Sequence, residues 1–194
     1  MSQRLRLQGV IPPLITPLNE ERRIDSDALT RLINHLIDGG VSGLFLFGSS
    51  GEGPWLDEPH LSSILKVAHI AVNGRVPILA GLLEPSAPRV IHLIRTIEET
   101  EAADAIVVTT PYYFGTDSED QIAQFTQIAD SSSLPVVLYN IPPMTHHVLA
   151  VETVEALLSH DNIIGIKDSA GDMNAFQQLV KLKEKRPDFS VLQG

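Results

Sequence analysis

Asn162-Ile163-Ile164-Gly165-Ile166-Lys167-Asp168-Ser169 reads as a short buried strand that ends in a charge. Its apolar residues do not alternate with polar ones, which is the pattern of a parallel strand covered on both faces. A lone ammonium on such a strand is expensive to desolvate. Burial that disfavours the charged form leaves a nucleophilic amine, the group needed to form a Schiff base with a ketone. The alternative is that the Lys167 side chain snorkels to the strand's mouth and stays solvated there.

Working outward, the same kind of run recurs along the chain. Apolar stretches over 9–17, 43–47, 76–82, 105–110, 135–140, 163–167 and 189–192 predict seven strands, none with the alternation of a half-exposed sheet. Between them the spacing predicts helices over 26–38, 57–72, 86–100, 118–131, 151–159 and 172–185. Each follows a plausible capping residue, such as Asp25, Asp57, Ser86, Asp117 or Asp172. The first carries Leu29, Leu32, Ile33, Leu36 and Ile37 as a 3.6-residue stripe and stops at Gly39-Gly40.

Strands alternating with helices leave a doubly wound open sheet or a (β/α)8 TIM barrel. A regular repeat of about 30 residues per unit favours the barrel, which typically needs about 250 residues. The 194 residues therefore predict a single incomplete TIM-barrel domain over 1–194, with about seven βα units.

Composition narrows the function. Apolar residues make up 43% and the mean hydropathy is +0.09, as in a globular protein. A net charge of −10 argues against a nucleic-acid partner, whose phosphates call for a basic face. With no cysteine, thiolate catalysis and disulfides are excluded. No stretch resembles a signal peptide or a membrane span, so a soluble cytoplasmic protein with no membrane partner is expected.

In a βα barrel the catalytic groups come from the C-terminal ends of the strands and the loops that follow. After the second predicted strand stands Gly48-Ser49-Ser50-Gly51-Glu52. Its backbone N–H groups and two hydroxyls suit an anion such as a carboxylate, or it is a plain Gly-rich turn. A phosphate loop is not expected, because no lysine follows the glycines. After the fourth strand stands Thr109-Thr110-Pro111-Tyr112-Tyr113-Phe114, and after the fifth Tyr139-Asn140-Ile141-Pro142. Tyrosines at a strand mouth either relay protons or pack with the hydroxyl reaching water. Tyr139 should stand beside Lys167, since consecutive barrel strands are neighbours. His146-His147 makes a poor chelating pair on extended backbone, and no metal is predicted.

Residues 13–17, Gly48-Ser49-Ser50-Gly51-Glu52, Thr110-Pro111-Tyr112-Tyr113, Tyr139-Asn140-Ile141-Pro142 and Gly165-Ile166-Lys167-Asp168, in that order, resemble the dihydrodipicolinate synthase/N-acetylneuraminate lyase family of pyruvate-dependent class I aldolases. The resemblance implies a TIM barrel assembled as a homo-oligomer, a dimer or a tetramer. It implies that Lys167 forms the Schiff base with pyruvate or another small 2-oxo acid, with no cofactor beyond that covalent imine. By the same resemblance Gly48, Ser49 and Ser50 hold the 2-oxo acid's carboxylate, and Tyr139 is the proton shuttle. Tyr113 is placed at a subunit interface, completing a relay across it.

Three departures shape the expected activity. Met144 stands where the synthase of that family has an arginine for its second substrate's carboxylate, His146 replaces a usual glycine, and the eighth strand is absent. The expectation is therefore an aldolase or lyase acting on a sugar-derived 2-oxo acid. The alternatives are 4-hydroxy-tetrahydrodipicolinate synthase, a deoxy-sugar-acid dehydratase, and a non-catalytic truncated chain.

Overall fold

The computed structural model describes residues 5–194. Helix α1 (Ser26–Asp38) begins where the Asp25 carboxylate accepts from the Ala28 amide, and it buries Leu29 and Ile33. Strand β1 (Leu44–Leu46) follows, then α2 (Glu58–Val72), β2 (Ile78–Leu82), α3 (Ala87–Glu98), β3 (Ala105–Thr109), α4 (Ser118–Asp130) and β4 (Val136–Asn140). After a one-turn helix α5 (Pro142–Thr145), the chain continues through α6 (Val151–Leu157), β5 (Ile163–Asp168), α7 (Met173–Lys181) and β6 (Ser190–Gln193). The aspartates do the capping: Asp57, Asp117 and Asp172 each accept from first-turn amides, and Asp117 with Asp120 forms a reciprocal capping box. Ser86 precedes its helix without a side-chain cap.

The strands lie in the order β1-β2-β3-β4-β5-β6, every neighbouring pair parallel. One face packs on the helices through Leu46, Ala80, Ile106, Val108, Leu138 and Ile166, against Ile94, Ile97, Phe125 and Ile128. The opposite face carries Phe45, Leu79, Val107, Val137 and Tyr139, with Leu192 at its margin. Two distances show that this second face is rolled up. In a flat sheet β1 and β5 would lie about 19 Å apart, four strand spacings. Yet Lys167 Nζ of β5 sits 4.8 Å from the centre of the Phe45 ring of β1, and the Phe45 and Tyr139 rings meet edge to face at 6.0 Å. The sheet is a half-barrel, an α/β fold with six parallel strands.

Six strands, not seven, correct the expected count. Residues 9–17 touch β1 through a single parallel bridge, Pro13 to Phe45, with hydrogen bonds from the Leu14 amide to the Phe45 carbonyl (2.9 Å) and from the Phe45 amide to the Pro12 carbonyl (3.1 Å). Pro12, Pro13 and Pro17 have no N–H to donate, so a regular ladder cannot extend through them. The second predicted strand is also shorter than its apolar run, because Phe47 turns out of the sheet at a φ of +61°. Within β5, Gly165 is required by close approach: a β-carbon there would lie 2.6 Å from the Ser190 carbonyl oxygen on β6. Among the described residues no helix is long and apolar enough to cross a membrane.

Candidate active site

The register places Tyr139 directly opposite Lys167, and Asn140 directly opposite Asp168, at the C-terminal ends of β4 and β5. Beyond a register shift at the start of this pairing, Lys167 shares the inside of the half-barrel with Val137 and Tyr139, so the phenol and the amine meet there. Lys167 Nζ donates to the Tyr139 hydroxyl at 3.0 Å. The ammonium also lies 4.1 Å from the centre of the Tyr139 ring and sits over the Phe45 ring, so aromatic faces take part in holding the cation. Lys167 is half-buried, whereas Tyr139 is only 3% exposed. The amine borders a cavity of about 280 Å³ lined by Phe45, Leu79, Val107, Val137 and Leu192.

The other residues singled out in the sequence lie at varying removes from this pair. Gly48 precedes a 3-10 turn over Ser49–Gly51. A β-carbon on Gly48 would come within 2.7 Å of the Phe45 ring, the same ring that lies beneath Lys167. Ser49 and Ser50 are exposed on that turn. Ser49 faces a second cavity, about 410 Å³, at the strand mouths with Glu52, Thr109, Tyr112, Met144 and Thr145. The turn is closed by Thr16, whose hydroxyl donates to the Gly51 carbonyl at 2.7 Å. Tyr113 is 87% exposed, at a φ of +82° that aromatic residues rarely adopt, with its ring edge-to-face on Phe114 at 5.0 Å. The hydroxyl that Lys167 reaches is that of Tyr139, not Tyr113.

The loops after β3 and β4 are tied together. Thr110 donates to the Thr145 hydroxyl at 3.0 Å, His147 Nε2 lies 3.0 Å from the Phe114 carbonyl oxygen, and Gln121 donates to the Val148 carbonyl at 3.4 Å. The Tyr112 hydroxyl donates to the Leu83 carbonyl at 3.1 Å, and burial raises its pKa above the ordinary 10.0, with the nearby Glu84 charge adding to the shift. His146 takes the glycine position at the end of α5 with a φ of +60°, so the loop holds a strained backbone there. Met144 lines the mouth cavity with its side chain largely exposed.

One buried polar pair stands in the quoted motifs but was given no role in the sequence argument. The Asn140 amide donates to the Asp168 carboxylate at 2.7 Å, and its oxygen accepts from the Leu149 amide at 3.0 Å. It lies one register position beyond the Tyr139–Lys167 pair and faces the helices. Its sequence signal was the pair of polar residues following Tyr139 and Lys167 on two otherwise apolar strands. Among the described residues no group of three or more His, Asp or Glu is arranged to hold a metal ion.

Comparison with known proteins adds four findings. The family model described as "Dihydrodipicolinate synthetase family" matches residues 6–194. The 4-hydroxy-tetrahydrodipicolinate synthase of Stenotrophomonas maltophilia (strain K279a) is 37% identical over 190 residues, covering 98% of this chain and 63% of that protein. The probable 2-dehydro-3-deoxy-D-pentonate aldolase YjhH of Escherichia coli (strain K12) is 34% identical over 191 residues, covering 97% and 63%. Among solved structures, YagE, a prophage protein of E. coli K12 in complex with pyruvate, superposes with a TM-score of 0.90 at 37% identity, covering 96% of this chain and 63% of that one. The chain thus spans about 63% of the length of these relatives.

Proposed function

The chain belongs to the dihydrodipicolinate synthetase family, and from that premise we propose that the protein is a lyase of the class I aldolase type that cleaves or condenses a sugar-derived 2-oxo acid, with pyruvate as product or donor. The observation that carries the proposal is the 3.0 Å contact between Lys167 Nζ and the Tyr139 hydroxyl on the inner face of the sheet. The pyruvate bound to YagE supports the same small 2-oxo acid as the group that Lys167 would engage.

In this reading the unprotonated Lys167 amine attacks the C2 carbonyl of pyruvate, and loss of water leaves an iminium on Nζ. The iminium draws electrons from the adjacent methyl carbon, which loses a proton to give an enamine. That carbon then attacks the carbonyl carbon of an aldehyde, forming the new carbon–carbon bond, and water releases the product and restores the amine. Cleavage is the reverse sequence. The Tyr139 phenol, within hydrogen-bond reach of Nζ, passes protons during imine formation and hydrolysis. Gly48, Ser49 and Ser50 would receive the substrate carboxylate through backbone amides and hydroxyls. Tyr113 would act from a neighbouring subunit of a homodimer or homotetramer, consistent with its exposure. No cofactor is called for, because the imine itself is the electron sink, and the cytoplasm is the expected location.

The test is borohydride reduction in the presence of pyruvate, followed by peptide mass spectrometry. The expected result is one covalent adduct, on Lys167; no adduct, or one on another lysine, overturns the proposal. A second reading, 4-hydroxy-tetrahydrodipicolinate synthase, is favoured by the name of the S. maltophilia relative. Condensation of pyruvate with aspartate semialdehyde at a rate matching other aldehydes would establish it. Met144 weighs against it, since a thioether offers no charge to a carboxylate.

A further inference from the structure

Asn140 is a junction of three segments. Its side-chain amide donates to the Asp168 carboxylate of β5 at 2.7 Å, and its side-chain oxygen accepts from the Leu149 amide at 3.0 Å, beyond the loop over 141–148. Its backbone carbonyl accepts from the Ser169 amide at 2.8 Å. Asn140 and Asp168 are each only 3% exposed. Among the described residues no lysine, arginine or histidine pairs with the Asp168 carboxylate. A buried carboxylate answered by a neutral amide costs desolvation that an apolar pair of similar size would avoid. The chemistry at Lys167 touches neither residue.

What the pair supplies is register. The pairing of β4 with β5 is irregular at its start, with a shift between Val136 and Val137. A slip of one residue turns every side chain of a strand to the other face, so a pairing that begins irregularly needs a pin at its other end. Asn140 opposite Asp168 is the last paired position, one step beyond Tyr139 opposite Lys167. A hydrogen bond of 2.7 Å tolerates little sliding, because it weakens steeply with distance and angle. An apolar pair slides more freely. The Tyr139 hydroxyl and Lys167 Nζ meet at 3.0 Å at the tips of long side chains, so a small displacement of the strand ends separates them.

We propose that Asn140 and Asp168 are positioning residues: their hydrogen bond fixes the ends of β4 and β5 so that the Tyr139 phenol stays within reach of the Lys167 amine. This rests on the Schiff-base reading of Lys167 and names the pair that holds its acid–base partner in place. Through Leu149, Asn140 also ties the far end of the loop carrying Met144 and Thr145 to the same junction.

The experiment follows imine formation on Lys167 by quenching with borohydride at timed intervals over a range of pyruvate concentrations. Asn140→Asp removes the donor and sets two carboxylates face to face. The limiting rate should fall about tenfold to a hundredfold, as for a reacting group displaced by up to about 1 Å, while half-saturating pyruvate changes less than about twofold. In the exchange of Asn140→Asp with Asp168→Asn the donor moves to β5, and the oxygen on β4 still accepts from the Leu149 amide. That variant should recover most of the lost rate. A merely structural role would not depend on the phenol, so the decisive readout is Asn140→Asp in a Tyr139→Phe background. With no phenol to align, the substitution should slow imine formation there by less than about threefold. An equal loss with and without the phenol overturns the proposal, and so does an exchange variant that folds but stays slow. Should Asn140→Asp fail to fold, Asp168→Ala, in which water can replace the carboxylate, is read in the same way. A Lys167 adduct formed at full rate in Asn140→Asp refutes this inference alone, whereas a missing adduct in the unmutated protein removes the Schiff-base reading and this inference with it.

Discussion

The two faces of the sheet are built on opposite plans. The outer face, between the strands and the helices, is a continuous apolar layer in which Leu29, Ile33, Leu65, Ile94, Ile106 and Val136 are fully enclosed. The inner face is smaller, keeps a cavity of about 280 Å³, and places on its rim the one half-buried lysine of β5. The outer face is where burial and close packing supply stability. The inner face gives up some packing to hold an amine, a phenol and open volume together. In this chain fold and chemistry are divided by the two-residue period of the strands: Val136 and Leu138 of β4 and Ile166 of β5 face the helices, while Val137, Tyr139 and Lys167 face the site.

That division can be broken most directly at Lys167. Lys167→Met keeps the apolar stem and removes the amine; the pyruvate adduct should vanish, while the urea midpoint moves little. Unfolding of this variant would show that the inner face carries the fold as well. Tyr139→Phe should follow, slowing turnover by about 10²- to 10⁴-fold through loss of the proton-transferring hydroxyl, with the edge-to-face contact on Phe45 kept. A rate unchanged under single-turnover conditions would remove Tyr139 from the chemistry. The outer face is then tested by Ile94→Ala, for which an unfolding free-energy loss of about 2–5 kcal/mol is expected. Leu79→Ala on the inner face should cost about half that, because its side chain already borders open volume and has fewer partner atoms to lose. Equal losses at Ile94 and Leu79 would mean that the two faces are packed alike.

What was legible in the sequence follows the same line. Helix boundaries were readable because aspartate caps and apolar stripes are local: the stretch over 26–38 matches α1 and that over 118–131 matches α4 to within a residue. The pairing of Tyr139 with Lys167 was readable because it needs only consecutive parallel strands in register. The first expected strand, over 9–17, is not a sheet strand although the signal was present, since Pro12 and Pro13 in one apolar run argue against a ladder. The turn carrying Ser49 and Ser50 was not readable in detail. Its direction depends on Phe47 and Glu52 at φ values of +61° and +56°, which neither residue type advertises. Nor could local pattern show the curl of the sheet, which is a sum of small twists over six strands and brings Phe45 under Lys167. The Asn140–Asp168 hydrogen bond was implicit in the register but invisible to a search for catalytic groups, because it faces away from the cavity.

The smallest effect belongs to the solvent side of the outer layer, where α2 and α3 meet water. His92 Nε2 lies 2.7 Å from a Glu58 carboxylate oxygen, and the Thr96 hydroxyl donates to the other at 3.0 Å. These hydrogen bonds, His92 first, hold the Glu58 pKa below its ordinary 4.5 despite a small opposing desolvation. A carboxyl whose pKa is lower in the folded chain stabilises the fold above its unfolded value, and that contribution is lost as the pH falls through the folded value. Melting temperature measured from pH 6 downward should therefore decline through and below about pH 4.5, and the decline should be shallower in His92→Ala. Both groups are exposed, so the change should be a shift of only a degree or so at low salt and should shrink further at high salt. A large effect at this site would mean that an exposed contact between helices does work assigned here to the buried layer beneath it.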